Sequence, residues 1–190
     1  MTVRPIRLLG DPVLRTPCDP VTRFDNALAR LVADLLDTVQ EPGRAGLAAN
    51  QIGVSLAVFA YNVDGRLGYV VNPVVAPDSG EQSGPEACLS LPGVSAIRRR
   101  AARAVVTGAD TDGHSVTVSG SGELARCLQH ETDHLRGELY IDALDGTERA
   151  AVMRRIRELF DPVPAHPGST RLARGKDVLQ PPPTGFNDGD

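Results

Sequence analysis

The sequence predicts an α+β domain: a helix near the N-terminus, antiparallel β-sheets packed around a central helix, and a helix at the C-terminal end. Three observations carry this expectation. Apolar residues recur at helical spacing after Asp25, short apolar runs separated by Asp-Gly pairs fill the middle of the chain, and two further helical stretches follow them. With 190 residues, 41% of them hydrophobic, the chain can fill one core, and the domain is expected to span residues 1 to 160.

Each element has its own local reason. In the first helix Leu28, Leu31, Val32, Leu35, Leu36 and Val39 fall on one face, with Asp25 as N-cap and Pro42-Gly43 as the stop. The runs SLAVFAY (55 to 61), LGYVVNP (67 to 73), RAVVTGAD (103 to 110) and HSVTVSG (114 to 120) read as antiparallel strands. Asp64-Gly65 and Asp112-Gly113 suit the hairpin turns between them. The stretch SGELARCLQHETDHLRG then reads as a helix closed by Gly137, and a last helix runs from about residue 147 to 160. Residues 161 to 190 hold six of the fifteen prolines and almost no periodic apolar positions, so a flexible tail is expected there, with a docking role as its alternative.

Composition narrows the function. A formal net charge of -4 gives no general attraction to nucleic-acid phosphates, so specific DNA binding is not expected. Three cysteines, at 18, 88 and 127, do not make a disulfide framework and fit a reducing compartment such as the cytoplasm. The N-terminal stretch lacks the apolar core of a signal peptide, and no run approaches the ~18 apolar residues of a membrane span. A soluble cytoplasmic protein is the expectation.

The chemistry is concentrated in QHETDHLRG, residues 129 to 137. On a helix His130 and His134 share a face about 5 to 6 Å apart and can direct their ring nitrogens at one ion, with Glu131 beside it. A catalytic ion of the zinc type needs a third protein ligand and an open position. Cys127 is a poor candidate, because seven residues of helical rise put it ~10 Å along the axis from His134. It reads instead as a small buried residue. Cys18 reads as a loop thiol, and His114 and His166 as surface residues. Cys88 remains, in EACLSLPG, where Pro92-Gly93 forces an irregular segment that can bring a thiolate up to the helix.

AGLAANQIGV (45 to 54), EACLSLPG (86 to 93) and QHETDHLRG (129 to 137) occur together in this order, and on them the chain resembles the bacterial peptide deformylases. The likeness runs from residue 5 to 160. It implies a metal-dependent hydrolase that removes the N-formyl group from the initiator methionine of nascent proteins and releases formate. The ligands it implies are Cys88, His130 and His134, holding one divalent ion, Fe2+ in the cell with Zn2+ or Ni2+ as substitutes. Glu131 corresponds to the general acid/base, and the Gln51 amide with the Leu89 backbone N–H to the oxyanion hole. Main-chain groups of Ala45, Gly46 and Ala87 correspond to those that pair with the extended substrate, and Cys127 and the stem of Arg126 to the walls of the methionine pocket. Glu86 and Arg100 match an ion pair that braces the cysteine segment. The partners implied are N-formylmethionyl nascent peptides and the ribosome near its exit tunnel.

Arg44, Ala45 and Ala87 depart from the family pattern, which has glycine, a branched aliphatic residue and glycine there. Because glycine often marks positive φ or close approach, weakened or altered activity is the alternative expectation. A second rival is a peptidase with its third ligand downstream, among Asp142, Asp145, Glu148 and Glu158. The third is a metal-binding module that docks through the last helix, where Arg149, Arg154, Arg155 and Arg157 outnumber Glu148 and Glu158.

Overall fold

Helix α1 (Asn26–Val39) starts where the Asp25 carboxylate accepts from the backbone N–H groups of Ala27 and Leu28, at 2.9 and 3.2 Å. Its Leu28, Leu31, Val32, Leu35 and Val39 are buried, as the helical repeat requires, while Leu36 sits at the edge of the same cluster. These features belong to a computed structural model that describes residues 2 to 160; the expected tail, 161 to 190, lies outside the described residues.

Seven strands follow: β1 (Gly46–Ala48), β2 (Val58–Val63), β3 (Arg66–Pro77), β4 (Glu81–Ala87), β5 (Ser95–Ala101), β6 (Arg103–Ala109) and β7 (Ser115–Ser121). Five form one antiparallel sheet in the order β1-β2-β3-β6-β7, and β4 and β5 form a separate ribbon. The β2-β3 hairpin turns on Asp64 and Gly65, both at positive φ (52° and 76°), which is the backbone a two-residue turn of primed type needs. Asn72, also at positive φ, marks the irregularity in β3. Its amide there clamps Val21, accepting from the Val21 N–H at 2.8 Å and donating to its carbonyl at 2.9 Å.

The four expected strands are present, whereas β1, β4 and β5 are additions to the sequence reading. β1 has only three residues. The ribbon strands, EQSGPEA and SAIRRRA, are mostly polar and half exposed, so no apolar alternation announces them. The segment expected to be irregular, 86 to 93, therefore begins inside β4 and leaves it after Ala87.

Helices cover both faces of the large sheet. Alternate β2 residues Val58 and Ala60 pack toward α1, and Phe59, Tyr61 and Val63 pack toward α2 (Gly122–Leu135). This is why VFAY reads as a continuous apolar run rather than an alternating one. Helix α3 (Gly146–Phe160) is capped by Asp145, which accepts from Thr147 and Glu148 at 2.9 and 2.8 Å. Its Val152 and Ile156 join Leu91, Val94, Tyr140 and Ile141 in a third cluster that includes Cys88. Among the described residues no helix is long and apolar enough to cross a membrane.

Candidate metal centre

A helix buried on several sides can carry polar residues only if they have partners, and α2 buries Arg126, Gln129, His130, Glu131, Thr132 and His134 together. One turn apart, the His130 and His134 rings meet edge to face with centroids 4.8 Å apart and their Nε2 atoms 3.2 Å apart. Cys88, just beyond the end of β4, brings its Sγ to 3.2 Å from His134 Nε2. A tight turn holds it there, with the Leu91 N–H donating to the Cys88 carbonyl at 3.0 Å. The three ligand atoms lie within 4.8 Å of one another. A tetrahedral ion with metal–sulfur bonds of ~2.3 Å and metal–nitrogen bonds of ~2.0–2.1 Å would hold its ligand atoms about 3.3–3.6 Å apart, close to this spacing.

The electrostatics suit the same use. Burial opposes ionisation of Cys88, but the neighbouring imidazoles of His134 and His130 prevail and hold its thiol well below the usual range, in the thiolate form that ligates metals. His130 Nδ1 lies 2.8 Å from Glu86 Oε1, which leaves Nε2 turned to the common point. Glu86 is itself held by Arg100 Nε and Nη2, at 3.0 and 2.6 Å, and by Arg126 Nη1 at 3.0 Å. Although burial would raise the Glu86 carboxyl, its bonds to His130 and Arg100 keep it far below the ordinary carboxylate value. Arg100 also donates to Asp133 on α2, at 2.6 Å, so the ribbon is tied to the metal helix through charge.

The remaining expected residues surround a cavity of about 420 Å³. Ala45, Gly46, Gln51, Ala87, Cys88, Leu89, Arg126, Cys127, His130 and Glu131 all line it, and His134 lies behind them, almost fully buried. Burial is the largest influence on Glu131 and lifts its carboxyl to about 7. Gln51 Oε1 accepts from the Ala48 N–H at 2.8 Å, which fixes the opposite end of the amide 3.5 Å from Cys88 Sγ and 3.2 Å from Ser90 Oγ. Gly46 is needed by space rather than by φ: a Cβ there would collide with Glu131 Oε1 and come within 2.7 Å of Cys127 Sγ.

Cys127 stays outside the ligand group, and its thiol donates to the Ala45 carbonyl at 3.2 Å. Arg126 is buried, where the sequence left open whether it faced solvent. None of Arg44, Ala45 and Ala87 has positive φ, so their side chains are not strained there. The Arg44 guanidinium donates to the Thr38 carbonyl at 2.9 Å in the last turn of α1, away from the cavity lining. Of the downstream acids, Asp142 pairs with Arg15 and Arg149, Asp145 caps α3, and Glu158 pairs with Arg155, and none of the four, Glu148 included, joins the group of His130 and His134. Asp110, Asp112 and His114 also cluster, the first half-buried and the other two exposed, in a turn where the Asp110 carboxylate accepts from the other two backbones.

Sequence reasoning missed the Glu86–His130 contact, the Asp133 and Arg98 ends of the charge network, and Asn50, whose amide donates to the His134 carbonyl at 2.6 Å. Asp133 stood inside the QHETDHLRG motif, yet its carboxylate meets Arg98 and Arg100 of β5, far from it in the chain.

A buried Cys-His-His group with a carboxylate beside it and a cavity opening on it defines the class: a metal-dependent hydrolase. Residues 3–150 match the model of the polypeptide deformylase family. A peptide deformylase of Acidothermus cellulolyticus is 56% identical over 158 residues, covering 83% of this chain and 88% of that protein. The crystal structure of a peptide deformylase from Legionella pneumophila matches with a TM-score of 0.78 and 37% identity, over 83% of this chain and 95% of that one. That of peptide deformylase from Thermus thermophilus gives 0.76 and 40%, over 82% and 94%. The chain belongs to the polypeptide deformylase family, and with Cys88, His130 and His134 as its metal site it is a hydrolase with peptide deformylase activity.

Proposed function

We propose that the protein removes the formyl group from N-formylmethionyl ends of nascent peptides, with Cys88, His130 and His134 holding one divalent ion, ferrous iron in the cell and zinc or nickel as substitutes. The convergence of these three ligands beside Glu131 supports the reading more than any other observation. An ion held there supplies a Lewis acid and an acidified water as nucleophile. A thiolate among the ligands is soft and electron-donating, which suits iron as well as zinc.

Glu131 takes the proton from the nucleophile and returns it to the leaving amine, work for which a carboxyl titrating near neutrality is fitted. Gln51, held through Oε1, presents its amide N–H groups with the Leu89 backbone N–H to the formyl oxygen as charge develops on it. Ala45, Gly46 and Ala87 pair with the extended peptide. β1 is an edge strand of the large sheet and β4 belongs to a two-stranded ribbon, so backbone groups on both sides are open to strand addition. Cys127 and the stem of Arg126 wall the pocket for the methionine side chain. Nascent chains place the protein near the ribosomal exit.

The test is formate release from a formyl-Met peptide by the metal-loaded protein, compared with the chelated one. Metal-dependent turnover is expected; a metal-loaded protein that releases none overturns the proposal in favour of a binding module.

A further inference from the structure

One wall of the cavity carries a charged group with donors to spare. Arg126 leaves α2 one turn before His130, and its side chain is 6% exposed. Its Nη1 is fixed, donating to Glu86 Oε2 at 3.0 Å and to the Arg98 carbonyl at 3.2 Å. Nη2 lies over the backbone of Gly84, where a Cβ would come within 3.3 Å, so the missing side chain in β4 makes room for the guanidinium. Neither Nε nor Nη2 donates a hydrogen bond among the described residues. Glu123 Oε2 stands 4.0 Å from Nε, on a side chain 60% exposed. Arg126 and Glu123 both line the cavity, and Nε and Nη2 are the guanidinium atoms that no bond to the described residues engages.

A purely apolar side chain filled against this wall strips water from charged donors and offers nothing in return. The thioether of methionine is only a weak acceptor, whereas its sulfoxide is a polar acceptor on the same chain. A carboxylate end is disfavoured, because Glu86 and Glu123 stand on the same wall.

We propose that Arg126 makes this deformylase accept N-formyl peptides whose first side chain is unbranched, of methionine length, and ends in an uncharged oxygen acceptor, so that formyl-methionine sulfoxide is a substrate beside formyl-methionine. The inference rests on the reading of this cavity as the seat of the first residue. The reaction is the same hydrolysis: water is consumed, formate leaves, and the sulfoxide is unchanged.

Sulfoxides are chiral at sulfur, so a fixed guanidinium meets the oxygen of one epimer and not the other. The experiment measures kcat/KM of the metal-loaded full-length protein on peptides that differ only in the first residue: formyl-Met and each separated epimer of its sulfoxide. One epimer is expected within about tenfold of formyl-Met and at least about tenfold above the other, the low end of the range of one hydrogen bond to a charged donor. Arg126→Leu should lower that epimer relative to formyl-Met by about tenfold and close the gap between epimers. Should the variant not fold, the epimer ratio of the natural protein decides alone. Equal epimers, rejection of both, or a ratio that survives Arg126→Leu overturns the inference while cleavage of formyl-Met stands. Failure on formyl-Met itself removes the deformylase reading and this inference together.

Discussion

Cys88 and Cys127 are both buried, yet their neighbours give them opposite chemistry. Imidazoles draw the proton off Cys88, while burial, with Glu131 behind it, pushes the Cys127 thiol well above its ordinary value and keeps it an S–H donor to Ala45. Replacing Cys88 by alanine should strip the ion, and Cys127→Ala should leave it in place. Metal analysis of the two purified variants checks this; one equivalent of metal on Cys88→Ala rejects the ligand assignment. Glu131 offers a different test, because it lines the cavity without belonging to the ligand group. Glu131→Gln is expected to remain folded and metal-loaded but to turn over about 10²-fold more slowly or worse. Near-normal turnover would remove it from the proton path.

At the scale of elements, Glu86 is the joint between ribbon and helix: it lies on β4, takes two bonds from Arg100 on β5, and meets Arg126 and His130 on α2. Glu86→Gln takes the bonded carboxylate from buried Arg126 and leaves Arg100 with Asp133 alone, and breaking a buried pair in this way costs about 3–5 kcal/mol. Denaturant unfolding of the variant should show a loss of that order. The pH dependence has a definite sign. Because the folded state holds this carboxyl below its ordinary value of 4.5, its contribution is full above that pH and is lost as pH falls toward the folded value. Stability of the natural protein should therefore decline below about pH 4.5, and Glu86→Gln should flatten that limb. An unchanged acid limb would mean that other carboxylates carry it.

Across the whole molecule, the metal group joins parts that otherwise belong to separate cores, since Cys88 packs in the cluster under α3 while α2 packs against the large sheet. The N-terminal segment makes a second tie around the same place. Arg7 N–H donates to the Gln51 carbonyl at 2.7 Å, Leu9 N–H to the Ser90 carbonyl at 2.9 Å, and Cys18 N–H to the Leu135 carbonyl at 2.8 Å. An ion present at 100 to 1,000 times its dissociation constant stabilises the native state by about 3–4 kcal/mol, or ~10 °C in melting temperature for a chain of this size. Thermal melts with and without chelator should differ by that order, and added metal should restore the higher transition. A melt indifferent to chelation would show that the ion does not join the two cores.

The sequence by itself determined the elements whose signal is local. Asp25 and a helical repeat mark α1, apolar runs between Asp-Gly turns mark β2, β3, β6 and β7, and the spacing of His130 and His134 places two ligands on one helical face. It also contained Cys88 and Glu131 in motifs short enough to recognise. Tertiary structure alone decided the rest, because those features depend on partners distant in the chain. The β4-β5 ribbon has no apolar alternation, since its stability comes from pairing and from Glu86 and Arg100 rather than from a buried face. Arg126 is buried only because Glu86 and the carbonyl of Arg98 receive it and Gly84 clears its path. Arg44, which the sequence marked only as a departure from a glycine, reaches the Thr38 carbonyl in the last turn of α1. A periodic pattern reports which face of an element is dry, but not which charge from another element will meet a polar residue there, and that meeting determines whether a charged side chain lies in solvent or lines the site.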